Sequence, residues 1–236
     1  TAYEIKECDW SSDVCSSDLL SDVVYVIRKF RPDVIICRFP TTGEGGHGHH
    51  TASAILAEEA FDAAADPNRF TWQLSDVSVW KTKRLFWNTF NFGTTNTTAP
   101  EQLKLDVGVF NPLLGKSHGE IAAESRSNHK SQGFGSAAIR GSSVEYFKQL
   151  KGDPIFSDLF EGLNTSWTRI PGGDVIRKKT AEAIENFNAH SPEKSVGQLG
   201  TIRKLIAALD TNEASVRYWR AIKLEENQRL IIGCSG

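Results

Sequence analysis

The stretch GEGGHGHHT, residues 43–51, sets His47, His49 and His50 within four positions, out of six histidines in the whole chain. Imidazole is a principal protein ligand for zinc and the side chain whose proton exchange lies nearest neutral pH. Three of them on one short loop point to a metal site or an acid–base site, against the plainer use of a solvated polar loop. Gly43, Gly45, Gly46 and Gly48 open backbone conformations closed to other residues, and Glu44 adds a carboxylate. The common zinc signatures do not fit: HExxH is absent, and HxHxDH would need Asp and His where the chain has Thr51 and Ala52. Cys37 as a nucleophile with His47 as its base is a further arrangement. A cysteine near the end of an apolar run is more often a small core residue. What fits is His-x-x-His, read as His47 and His50.

These residues need a scaffold, and the flanking sequence supplies one. DVIICRF, residues 33–39, is a short β-branched apolar run of the kind that forms a buried parallel strand. Before it, LSDVVYVIRKF has Val23, Val24, Ile27 and Phe30 at helical spacing, with Arg28 and Lys29 facing away, and Pro32 stops it. After it, TASAILAEEAFDAAAD predicts a helix with Ala52, Ile55, Leu56 and Ala60 on one face and Glu58, Glu59 and Asp62 on the other. Helix, strand, loop, helix is an α/β pattern, and in open α/β sheets ligands bind beyond the carboxyl ends of the strands. The histidine loop stands there. His50 sits at the mouth of the helix expected from Thr51, whose positive end disfavours a charged imidazole. Further strands are expected at residues 84–93, 102–108 and, as a short final one, 144–152, with a helix from about Ser117 to about Lys130. From Asp174 three successive helices follow a run of breakers near residues 165–173, and Ser191-Pro192 reads as a start signal for the second.

The totals agree with a soluble globular chain: 236 residues, 39% hydrophobic and 24% charged, net charge −2. Charges of both signs are spread along the chain without a basic stripe, which excludes a nucleic-acid partner. No apolar run approaches the roughly 20 residues of a membrane span, and the start carries no secretory signal pattern. Cys8, Cys15, Cys37 and Cys234 are too scattered for a disulfide framework or a zinc ribbon. The sequons at Asn96 and Asn164 are short enough to arise by chance.

With His47 and His50 as the His-x-x-His pair, RPDVIICRFP…GHGHHTASA resembles the PIG-L/LmbE-like family of zinc-dependent N-acetylglucosaminyl deacetylases. AAESRSNHKSQ, residues 122–132, resembles that family's helix ending in His-x-Ser-Gln, here His129, Ser131 and Gln132. KRLFWNTFNFG, NPLLGKSHGEIAAESR and FGSAAIRGSSVEYFK are similar to its large bacterial members. The likeness runs from about residue 20 to the end. It implies a Rossmann-like (LmbE-like), partly parallel sheet with flanking helices over residues 20–170 and a helical segment over 171–236. It also implies Zn2+ as cofactor and a small-molecule or glycan substrate carrying an N-acetyl group. His50 would be a zinc ligand, and His47 would face the substrate carbonyl, stabilise the tetrahedral intermediate and protonate the leaving amine. The family's commoner form is His-Pro-Asp-His, and here Gly48 and His49 hold the middle positions. The support that aspartate gives would fall to Glu44 or His49, and His129 would either orient the site or cap its helix.

Catalytic zinc ordinarily takes three protein ligands and a water, with a carboxylate to accept the water's proton. In the resembled family one histidine ligand, one aspartate ligand and the aspartate base come from an Ala-His-Pro-Asp-Asp-Glu motif after the first strand. This chain contains no such motif. Its place is taken by CDWSSDVCSSDL, residues 8–19, which lacks helical or strand periodicity and matches one reading frame of a common short-read sequencing adapter residue for residue. Residues 1–19 therefore read as foreign to the fold. The chain, which has no methionine, reads as an internal fragment of a larger bacterial enzyme, expected to hold zinc weakly and to lack amidase activity. The alternative is a non-catalytic carbohydrate-binding module on the same fold, with Phe86, Trp87, Phe90 and Phe92 as a stacking strand.

Overall fold

Helix α1 (Asp13–Phe30) ends where Arg31 enters the left-handed region (φ 57°) and Pro32 follows, a residue that cannot continue a helix. The computed structural model describes residues 13–111, 115–132, 135 and 137–236. Within α1 Leu20 is buried, while Ser17, Asp18 and Leu19 are exposed. The helix thus reaches back into the stretch without periodicity. Extending an existing helix gains one hydrogen bond per residue fixed and needs no buried face. Residues 8–12 of that stretch lie outside the described residues.

After α1 come β1 (Val34–Cys37) and α2 (Gly48–Ala63). Helix α2 is wedged between two neighbours. Leu56, Ala60, Ala63 and Ala64 meet Leu20, Val24 and Ile27 of α1. Ala57 and Phe61 meet Ile35, Cys37 and Leu85 of the sheet. Ile55, expected inside, is 41% exposed because it shares the outward stripe with Glu59 and Asp62, four and seven positions on.

Arg28 reverses an expectation outright. Expected to face away with Lys29, it is 1% exposed. Its guanidinium donates to the carbonyls of Ala63 (3.2 Å), Ala64 (3.2 Å), Asp66 (2.8 Å), Arg69 (2.9 Å) and Phe70 (3.2 Å), and to Oε1 of Gln73 (3.2 Å). The last carbonyls of α2 have no partner within the helix, and the carbonyls of Ala63, Ala64, Asp66 and Phe70 each accept one backbone N–H from the turns that follow, which leaves a second lone pair open. A planar group with five donors satisfies these together. Burial lowers the pKa of the guanidinium and Asp66 raises it.

The remaining strands are β2 (Arg84–Thr89), β3 (Asn91–Phe92), β4 (Thr95–Asn96), β5 (Leu103–Asp106), β6 (Phe110–Asn111) and β7 (Lys116–Ser117). Helix α3 (His118–Ser127) follows, then β8 (Val144–Gly152). Among the described residues four strands form the main sheet, in the order β1-β2-β8-β5, with β1–β2 parallel and the other pairs antiparallel. This is a mixed α/β sheet with one parallel pair. Two positions differ from expectation. β8, expected as a short final strand, has nine residues and lies inside the sheet between β2 and β5. β1, expected as a buried strand, is at the edge, with Ile36 48% exposed. One face of the sheet packs on α2, and the other holds Phe86, Phe147 and Leu159. Arg84 is buried at the end of β2 and donates to the carbonyls of Asp153 (3.0 Å), Leu159 (3.1 Å) and Glu161 (2.5 Å), tying the chain after β8 to the sheet. Helix α3 starts on a capping box: Glu120 N–H donates to Ser117 Oγ (3.2 Å) and Ser117 N–H to Glu120 Oε2 (2.9 Å).

The chain divides into two units, residues 1–161 and Gly162–Gly236. The second contains α4 (Gly173–Glu185), α5 (Val196–Ala207) and α6 (Ala214–Ser235), around Ile176, Leu199, Ile202, Ile206 and Val216. Gly173 is required at the first turn of α4, because a Cβ there would lie 1.8 Å from the Trp167 carbonyl oxygen. Pro192 opens a 3-10 turn before α5, although the Ser191 side chain forms no cap bond. No described helix is long and apolar enough to cross a membrane.

Candidate functional site

The histidine loop is fixed at both ends. Upstream, Arg38 and Phe39 carry the chain out beyond the carboxyl end of β1. Gly43–Gly45 makes one 3-10 turn, closed by Gly46 N–H donating to the Gly43 carbonyl (3.0 Å), with Gly46 left-handed (φ 81°). Downstream, α2 begins at Gly48 rather than near Thr51, with His47 as its extended N-cap residue. His49 and His50 then fall in the first turn. The His47 side chain forms no cap bond, so its imidazole is not committed to the helix.

His50 is the prepared residue. Its Nδ1 lies 2.8 Å from the Gly45 carbonyl oxygen. A carbonyl only accepts, so Nδ1 carries the hydrogen, and in the neutral ring Nε2 carries the lone pair. Metal-binding histidines are held this way, with one ring nitrogen donating to a carbonyl or carboxylate and the other free for the ion. The ring is stacked on Phe39, with centroids 3.7 Å apart and planes 1° from parallel. His47 stands edge-on to it at 5.2 Å and 83°. His50 is half-buried and His47 exposed. Gly45 makes the close approach possible: a Cβ there would sit 3.2 Å from both His50 Cβ and Phe39 Cδ1.

The other expected site residues fall further out. His49 is exposed on the first turn of α2. Glu44 is exposed, and the Thr42 hydroxyl, with its own backbone N–H, holds its carboxyl below the usual carboxylate range. His129 is exposed beyond the end of α3, its N–H donating to the Arg126 carbonyl (3.1 Å). Among the described residues, no hydrogen bond or ring contact joins it to His47 or His50. The Gln132 side chain lies outside the described residues. Nor do any three described His, Cys, Asp or Glu side chains converge where a metal ion could sit. His50 fits a metal ligand; the described donor set is short of a metal site.

Four participants went unnoticed in the sequence. Arg38 Nη1 donates to Asn88 Oδ1, and Asn88 Nδ2 donates to Glu145 Oε2 (2.8 Å), joining β1, β2 and β8 near the carboxyl ends of the parallel pair. Phe39, the fourth, is the surface on which His50 lies. A signal was present in Asn88, a lone amide inside the apolar run RLFWNTF. Of the aromatic residues proposed to stack on a ligand, Phe86 is fully buried, while Trp87 and Phe90 are half-buried and meet edge-to-face at 6.4 Å. The Phe92 side chain lies outside the described residues.

Cys37 is a core residue. Burial, then the nearby Glu58 carboxylate, push its thiol up to about 11. At pH 8 only roughly one part in a thousand is then thiolate, the reactive form. Iodoacetamide at pH 8 is expected to leave Cys37 unmodified in the folded chain, read by peptide mass spectrometry. Alkylation at the rate of an unfolded control would restore the nucleophile reading. In comparisons with known proteins, no family model, no curated protein and no solved structure matches this chain.

Proposed function

We propose that this chain carries one part of a zinc-dependent amide hydrolase site that removes acetyl from an N-acetylated amino sugar or glycoconjugate, on a Rossmann-like sheet of the LmbE type. The observation that carries the reading is His50, with Nδ1 bonded to the Gly45 carbonyl and Nε2 left for a ligand, beside His47 at the end of a parallel strand. The open edge of β1 supports it. β1 pairs on one side only among the described residues, so a further parallel strand can add there with its carboxyl end beside the histidine loop. On this reading the remaining ligands and the general base would come from such a strand. Zinc at such a site supplies an activated water and a polarised amide carbonyl. His50 would hold the ion through Nε2, and His47, exposed at the N-cap position, would donate to the carbonyl oxygen of the substrate.

The test begins with adapter-trimmed sequencing of the source DNA upstream of the codon for residue 20, followed by expression of the extended chain. One zinc per chain and release of acetate from an N-acetylglucosaminyl substrate are expected for the extended protein. The 236-residue chain is expected to lose zinc on gel filtration and to release no acetate. Tight stoichiometric zinc in the 236-residue chain would contradict this ligand set and bring Glu44 and His49 forward. An extended chain without zinc or acetate release would favour the non-catalytic carbohydrate-binding module.

A further inference from the structure

We infer that Arg38, Asn88 and Glu145 form a hydroxyl-reading subsite for a neutral pyranose ring, with Phe90 as its apolar wall, and that the groove on the same sheet face receives further rings of an oligosaccharide. This rests on the amino-sugar reading above and deepens it by naming where the sugar lies.

The three polar groups hold one another in place. Arg38 Nη1 donates to Asn88 Oδ1 and lies 3.6 Å from Glu145 Oε2. Asn88 Nδ2 donates to Glu145 Oε2 (2.8 Å) and to the Tyr146 carbonyl (3.1 Å). Only this orientation of the Asn88 amide works, because its carbonyl must face the guanidinium and its NH2 the carboxylate. The network occupies one guanidinium nitrogen and one carboxylate oxygen, while the Arg38 and Glu145 side chains are 54% and 38% exposed. Fixed donors and a fixed acceptor therefore stand side by side at the surface. Vicinal hydroxyls, each both donor and acceptor, match that array. The two charges offset each other, so a phosphate or carboxylate drawn to Arg38 would meet Glu145, and a neutral ligand is favoured.

The apolar part is equally specific. The Arg38 guanidinium lies over the Phe90 ring at 5.8 Å, and Trp87 meets Phe90 edge-to-face. A pyranose ring presents such a surface with an apolar C–H face. By strand alternation Asn88 shares its sheet face with Phe86. A groove of about 700 Å³ includes Phe86, Leu103, Phe147, Gln149, Ile155 and Phe156 in its lining. Phe156 is 90% exposed beside it, and the volume falls within the roughly 300–1,000 Å³ of ordinary ligand clefts. Arg38 directly precedes Phe39, on which His50 stacks. A ring held by the network is thereby seated at the same strand end as the histidines.

The test is an NMR titration of the 236-residue chain with N,N′-diacetylchitobiose in EDTA. Saturable shifts are expected at the Asn88 side-chain amide and the Trp87 indole. Glu145→Gln keeps the acceptor for Asn88 but removes the charge, and Phe156→Ala alters only an exposed ring. Each is expected to weaken binding tenfold or more, with an unchanged circular dichroism spectrum. Absence of saturation, wild-type affinity in Glu145→Gln, or tenfold tighter binding of N-acetylglucosamine 6-phosphate would overturn the subsite. EDTA separates this result from the hydrolase reading. Sugar binding here with no acetate release by the extended protein sinks the hydrolase and leaves the subsite standing. Acetate release with KM unchanged by Glu145→Gln and Phe156→Ala does the reverse.

Discussion

Replacing Arg28 by methionine is expected to destabilise the unit of residues 1–161 by about 3 kcal/mol or more. Methionine approximates the length of the side chain and fills the space, so the loss isolates the polar function. Five carbonyls and the Gln73 amide oxygen accept from that one guanidinium. Each acceptor left buried without a partner costs about 1–3 kcal/mol. The carbonyls of Ala63, Ala64, Asp66 and Phe70 keep a backbone N–H donor, from Asp66, Trp80, Arg69 and Gln73 respectively, so the loss falls chiefly on the Arg69 carbonyl and the Gln73 amide oxygen. Arg28→Lys is expected to recover little, because a single ammonium cannot span carbonyls spread from Ala63 to Phe70. Hydrogen exchange at the Leu85 and Phe86 amides under mild denaturant reads the stability of this unit directly. Protection within about 0.5 kcal/mol of wild type, the range of an ordinary surface substitution, would show that the network is not what holds α1 to the end of α2.

The second large effect follows from the hydrolase proposal, concerns the histidine pair and is to be read in the extended protein of that proposal. His50→Ala should abolish both retained zinc and acetate release, since it removes the proposed ion ligand. His47→Ala should retain zinc, because the residue stands outside the proposed ligand set, and lower kcat by roughly 10²–10³-fold, as loss of one donor to a developing oxyanion does. Metal content therefore separates the two roles where activity alone would not. Equal zinc in both variants would exclude His50 as a ligand. Zinc lost in both would make His47 a ligand too. Phe39→Leu leaves both imidazoles in place but removes the surface on which the His50 ring lies flat.

Much of the fold was legible because local patterns decided it. The apolar spacing of Val24 and Ile27, the stop at Pro32 and the run VIIC place the end of α1 and all of β1 where they lie. Strand order was not legible: nothing within VEYFKQLKG says that it inserts between β2 and β5. Arg28 defeated the reading for a related reason. Its partners lie 35 to 45 positions away on a helix end and turn whose carbonyls converge only in three dimensions. At the site, the histidines were legible as residue types, and their unequal standing was not. The Gly45 carbonyl and the Phe39 ring distinguish His50 from His49, and neither is visible as a periodicity. Arg38 and Glu145, over a hundred residues apart in the sequence, were joined only by the register of the sheet.

That register also sets a timetable for synthesis. Arg84 must be buried against the carbonyl of Glu161, 77 residues further along the chain. At translation speeds of about 5–20 residues per second, roughly 4–15 seconds pass between the two leaving the ribosome. Until β8 (Val144–Gly152) emerges late in that interval, β1 and β2 have each other and α2, but β2 has no neighbour on its other side. Its apolar residues and an unpaired guanidinium face whatever else is nearby. The nascent chain is therefore most exposed to holdase chaperones, and to misassociation with its neighbours on the same message, between the emergence of Thr89 and that of Glu161.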